Sequence, residues 1–150
     1  MKKVTWLIGG CLLALSVGAQ VDTTSYPDER RELTEFLRRP GPGQEKACAD
    51  WIAVGPKGDI SFTRKEWQAA QEHLQLRFKS FRVVPGSEIV RVYERHCGVV
   101  NFLAEVTLLV SGKEMTIHVR RLEVYHRSAS GWCMVAGQGT QVDETLFPLP

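Results

Sequence analysis

Glu105, His118 and Arg120 supply a carboxylate, a titratable imidazole and a fixed cation, the set that acid–base chemistry or the anchoring of an anionic or carbonyl group requires. The chain can bring them together only through a hairpin. Val100, Phe102, Ala104, Val106, Leu108 and Val110 are apolar at period two, which predicts a strand over Cys97–Val110 with one face in a core. Ser111-Gly112-Lys113 follows as a Gly-bearing turn, and Met115, Ile117 and Val119 share one face of a second strand over Glu114–Arg127. With Gly112-Lys113 as the two-residue turn, Glu105 faces Arg120 and Thr107 faces His118. In a half-buried pocket wall these groups would sit within reach of one ligand. On an open sheet they would form a cross-strand ion pair worth about 0.2–1 kcal/mol.

Trp51, Tyr93 and Gln138 complete the candidate pocket lining: two aromatic surfaces to cover an apolar body, and one polar group on the parity of Trp132, Met134 and Ala136. Other constellations are excluded by geometry. His96 and Cys97 are adjacent, so in a strand their side chains point to opposite faces and cannot act as base and nucleophile together. Cys48, Cys97 and Cys133 lack the close spacing of a structural zinc site, so neither a metal nor a cofactor is expected. Cys97 and Cys133 open the first and third strands of the meander, about 9.6 Å apart across two strand spacings. That exceeds the span of a disulfide, so any bridge should use Cys48.

The elements that position these residues begin with a helix over Asp28–Arg38, where Leu33, Phe36 and Leu37 share a face and Asp28, Glu29 and Arg38 complement the helix dipole. Pro40-Gly41-Pro42-Gly43 stops it. A short helix over Gln44–Asp50, a strand at Trp51–Val54, a Gly55–Gly58 turn and a return strand at Asp59–Phe62 are expected next. Thr63 and Glu66 form a capping box for a helix carrying Trp67 and Ala70. From Leu74 the period changes to two. A one-residue slip between Phe78 and Phe81 predicts a bulge near Lys79-Ser80, with Arg77, Lys79 and Arg82 on a solvated face. Val84–Ser87 interrupts the strand, which resumes over Ile89–Tyr93, and a third meander strand runs from Trp132 to Gln141. Helices first, then a strongly bent sheet, is an α+β layout.

Length and termini bound the function. The 150 residues suit one domain over 28–150, preceded by a flexible leader over 20–27. Lys2-Lys3, the apolar run Val4–Leu15 and Val17-Gly18-Ala19 read as a secretory signal peptide over 1–19, cleaved after Ala19, too short for a membrane span. Ile8-Gly9-Gly10-Cys11 offers the alternative of a lipidated Cys11. Without Lys2 and Lys3 the chain carries 17 basic against 17 acidic residues, which argues against nucleic acid as a partner.

Three segments together resemble the nuclear transport factor 2-like superfamily: Trp51–Phe62 with Thr63-Arg64-Lys65-Glu66-Trp67, Arg120–Tyr125, and Gly131-Trp132 through Gln138-Gly139-Thr140. The resemblance spans about residues 29–142 and is nearest to the branch of unknown function. It implies a cone-shaped curved antiparallel sheet wrapped round N-terminal helices, with a deep pocket and a homodimer formed through the sheet. It does not imply an activity, because the fold hosts enzymes, binders and adaptors. Ketosteroid isomerases of this superfamily use an acid–base carboxylate with a Tyr and a protonated Asp. Here Tyr93 and Tyr125 cannot be placed on those positions, and no Asp falls in the meander strands. The expected function is therefore exported small-molecule binding without catalysis. The alternatives are an isomerase, dehydratase or cyclase acting next to a carbonyl with Glu105 or His118 as base, and a dimeric interaction module.

Overall fold

The computed structural model describes residues 21–39, 46–146 and 148; the signal peptide, Cys11 and the Pro40–Gly43 stop lie outside them. The elements are α1 (Pro27–Arg38), β1 (Ala47–Val54), β2 (Ile60–Ser61), α2 (Arg64–His73), β3 (Leu76–Val83), β4 (Ile89–Tyr93), β5 (Cys97–Val110), β6 (Lys113–Ser128) and β7 (Gly131–Gln141). They build a seven-stranded sheet in the order β2-β1-β7-β6-β5-β3, with β4 also on β5, and two helices. The α+β layout and the β5–β6–β7 meander are as expected.

Each short element has a local cause. Thr63 Oγ1 accepts from the Glu66 backbone N–H at 3.1 Å, and the Glu66 carboxylate reaches back to the Phe62 N–H at 2.7 Å, which fixes the start of α2. The expected bulge is present: Phe78 faces Leu108 and Ser80 faces Thr107, leaving Lys79 as the extra residue. Every second residue of β5 from Val100 to Leu108 is buried, and Leu33 of α1, fully enclosed, packs on that face with Trp51, Val92, Tyr125, Trp132 and Met134. We call this side of the sheet inner. α1 approaches so closely that a Cβ at residue 98 would lie 2.4 Å from Leu33 Cδ2, so β5 needs a glycine there.

Four expectations are corrected. The segment expected as a helix over Gln44–Asp50 is strand from Ala47 onward, because β1 pairs with β7, and tertiary pairing overrides the local preference. That pairing is parallel, so the sheet is mixed rather than wholly antiparallel. The β5–β6 turn is Ser111-Gly112, both with positive φ (48° and 81°), not Gly112-Lys113. The strands are therefore offset by two residues, and Glu105 faces His118 while Arg120 faces Leu103. An even offset leaves every side chain on its expected face. Lastly, β7 carries an extra residue between Met134 and Ala136, where Tyr125 and Val124 are their partners. The bulge reverses the parity of the strand, so Gln138 departs from the face of Trp132 and Met134.

The bridge uses Cys48, as the strand spacing requires, and its partner is Cys133, with Cα atoms 5.1 Å apart; Cys97 is free.

Candidate functional site

The expected pocket residues do not share a cavity. Trp51 is buried in the inner core. Glu105, His118 and Arg120 project from the outer face, opposite the buried parity of β5 and β6. Tyr93 pairs with Cys97, also on the outer face, and is exposed, as is Gln138.

Two of the outer residues do meet. His118 Nε2 lies 3.9 Å from Glu105 Oε2, while His118 Nδ1 and Glu144 Oε1 are hydrogen-bonded at 2.6 Å. The Glu105 carboxylate accepts instead from Arg82 Nη2 at 2.8 Å, so the expected Glu105–Arg120 pair does not form. Beside this group lies an open cleft of about 440 Å³ lined by Thr116, Ile117, His118, Gln141, Asp143 and Glu144. Its carboxylates are engaged, Glu144 by His118 and Asp143 within its own turn, where the Thr145 hydroxyl and then the Thr145 and Leu146 N–H groups hold the Asp143 carboxyl below the usual range. The arrangement pins the chain after β7 against β6. Among the described residues no group of three or more His, Cys, Asp or Glu is arranged to hold a metal ion.

The polar group that faces the interior is a different one. Arg121, Glu123 and Tyr125 occupy alternate positions of β6 on the inner parity of Val119. Arg121 donates to Glu123 Oε1 through Nε (3.2 Å) and Nη2 (2.7 Å), and the Tyr125 hydroxyl donates to Glu123 Oε2 at 2.6 Å. The Glu123 and Arg121 side chains keep only 11% and 24% of their surface exposed. Burial, and then the Glu123 charge, push the Tyr125 hydroxyl far above the ordinary tyrosine range, so it is a permanent donor. Lys46, at the edge of the same region, donates to the Leu37 carbonyl and lies 5.8 Å over the Phe36 ring. Burial lowers its pKa, while the charge of Glu123 works the other way.

An apolar wall adjoins this network. Phe102, directly opposite Arg121, makes an edge contact with Phe81 at 6.1 Å, and Trp67 of α2 stacks on Phe78 at 6.1 Å. Phe78 and Phe81 are 51% and 52% exposed although both lie on the inner side. α1 covers the Tyr125 end, with Phe36 edge-on to the Tyr125 ring at 6.0 Å, and leaves the β3 end open. Chemically, the inner face offers a preorganised cation and exposed aromatic surface side by side.

The signal for Arg121, Glu123 and Tyr125 was present in the sequence. They continue the parity of Met115, Ile117 and Val119, and charged residues on a core-facing parity are the informative kind.

No protein-family model matches the chain, and no curated protein is significantly similar to it in sequence. Solved structures are similar in fold. A candidate Ca/calmodulin-dependent kinase II association domain from Exiguobacterium sibiricum aligns over 77% of this chain and 95% of its own, at 15% identity and a TM-score of 0.60. A nuclear transport factor 2-like protein of unknown function from Prochlorococcus marinus aligns over 78% and 97%, at 13% identity and a TM-score of 0.62. A candidate ketosteroid isomerase from Parabacteroides distasonis aligns over 77% and 86%, at 18% identity and a TM-score of 0.51. Matched over about three quarters of its length to structures of this kind, the chain has the nuclear transport factor 2-like fold.

Proposed function

We propose that this is an exported protein that binds a small, partly apolar molecule on the inner face of a cone-shaped sheet and does not transform it. The observation that carries the reading is the Arg121–Glu123–Tyr125 network beside an exposed aromatic wall. Arg121 takes the anchoring role expected of Arg120, and Phe78 and Phe81 take the covering role expected of Trp51 and Tyr93. Binding is favoured over catalysis because both carboxylate oxygens of Glu123 already accept hydrogen bonds, Oε1 from Arg121 and Oε2 from the Tyr125 hydroxyl, and so are not directed at a bound molecule. The candidate ketosteroid isomerase among the similar structures keeps chemistry next to a carbonyl as the alternative, with Glu123 as base.

Native mass spectrometry of protein purified from its exported fraction tests both halves. A mature mass beginning at Gln20 and a retained small molecule lost in Arg121→Gln support the reading. An unprocessed or Cys11-lipidated chain overturns cleavage after Ala19, and turnover of a carbonyl substrate abolished by Glu123→Gln replaces binding with catalysis.

A second reading rests on the outer face. Ile52, Ile89 and Leu122 are exposed there, with Val99, Val124 and Ala136 between them. Such a band suits a homodimer through the sheet, and one similar structure is described as an association domain. Sedimentation of wild type and Leu122→Glu decides it: a dimer that becomes a monomer is expected.

A further inference from the structure

We infer that the inner site selects a monocarboxylate with an aromatic body, held by the unpaired edge of Arg121 with its ring against the exposed face of Phe81. The inference rests on the binding reading above and specifies its ligand.

The argument starts from the donors of Arg121. Nε and Nη2 are engaged by Glu123, whereas Nη1 has no partner among the described residues. The guanidinium reaches over β7 where residues 137 and 139 are glycines: a Cβ at 137 would come 3.0 Å from Nη2, and one at 139 would come 3.1 Å from Val119 Cγ1 and 3.3 Å from Nη1. Glu123 thus holds one side of the planar fork while the other is free to donate, in the geometry suited to a carboxylate. Lys46 adds a second cation beside the Glu123 charge.

The wall sets the rest of the ligand. Phe102 is opposite Arg121, and Phe81 stands edge-on to Phe102 while remaining half exposed. A third ring against Phe81 would extend the edge-to-face arrangement and cover apolar surface that the fold leaves open. Phe81 and Arg121 stand on strands two spacings apart, about 9.6 Å across the sheet, and are offset along it because Phe81 pairs with Val106 and Arg121 with Phe102, so a short chain joins the ring to the carboxylate. A neutral ligand of that shape would leave Nη1 unpaired and lose the charge-assisted contact.

The test titrates the wild-type protein with 3-phenylpropionate, with 3-phenylpropan-1-ol as the neutral counterpart and with hexanoate as the ringless acid, followed by amide and guanidinium NMR signals. The expected result is that 3-phenylpropionate shifts the Arg121 Nε–H and the Gly137 and Gly139 amides but not the Arg120 Nε–H. The alcohol and hexanoate should each bind at least about tenfold more weakly, the size of one charge-assisted contact or one covered ring. Equal binding of the alcohol at the same signals overturns the carboxylate assignment and leaves inner-face binding standing. Equal binding of hexanoate overturns the aromatic one. Shifts confined to Arg120, or no shift with any probe, overturn the inference, while retention of a different native ligand would still uphold the binding reading. Arg121→Gln removes the anchor but unbalances Glu123, so Gly139→Ala serves as the second variant: it keeps every partner of Arg121, crowds Nη1, and should weaken 3-phenylpropionate binding about tenfold.

Discussion

The two faces of the β5–β6 hairpin carry nearly the same side-chain chemistry and have opposite fates. Outward, Glu105, His118 and Arg120 look like the makings of a site, yet Glu105 spends its carboxylate on an exposed Arg82 and Arg120 has no carboxylate partner among the described residues. Inward, Arg121, Glu123 and Tyr125 form a closed chain of hydrogen bonds with little exposed surface. A charge in water interacts weakly with its neighbours, whereas the same charge beside a core must be paired and then acts strongly on whatever approaches. Residue type alone therefore says little about function, and the face on which a residue sits says most of it.

The largest effect is expected at the disulfide that ties β1 to β7. Cys48–Cys133 closes a separation of 85 residues, so its loss in Cys48→Ser should cost about 4.6 kcal/mol by loop-closure entropy. Urea unfolding measures it, and a loss near zero would mean that β1 is held by its ladder alone. Next in size is the comparison itself. Glu123→Ala leaves Arg121 buried without a counter-charge and should destabilise by about 3 kcal/mol, the lower end for a broken buried pair because Arg121 keeps some exposure. Glu105→Ala should cost less than about 1 kcal/mol. Equal costs would erase the distinction between the faces. Gly98→Ala should fall between them, at about 2 kcal/mol, because its methyl group would collide with Leu33 and push α1 off the inner face.

The finest probe is pH. Tyr125 has its pKa raised in the folded state, so its contribution is fully present below the unfolded value near 10.0 and is lost as pH rises through that of the folded protein. Stability should therefore fall above about pH 10, by up to about 1.4 kcal/mol per pH unit. Lys46, with a lowered pKa, acts in the opposite sense below 10.5. The difference between wild type and Tyr125→Phe isolates the tyrosine: the alkaline slope should flatten in the variant, and an unchanged slope would place the loss elsewhere.

Much of the fold was legible before any coordinates. Period two marked β5 and β6, the slip at Lys79 marked the bulge in β3, and Thr63 with Glu66 marked the start of α2, because each of these signals is local. The site was less legible. The face of Gln138 depends on a bulge in β7 that no residue between Met134 and Ala136 announces, and Glu105 faces Arg120 only if Gly112 is the first turn residue, whereas it is the second. Both are matters of long-range registration, where one extra residue or one turn position moves every partner beyond it.

Parity, turn residues and caps, then, are written into neighbouring positions and determined the strands, the meander and which residues of β6 share a face. The sequence alone could not say which of those faces α1 would cover, that β1 would run parallel to β7, or that two glycines of β7 would lie beneath the Arg121 guanidinium. These were decided by packing between segments far apart in the chain, where the burial of Leu33 against Gly98 and the pairing of Arg121 with Glu123 outweigh any local preference.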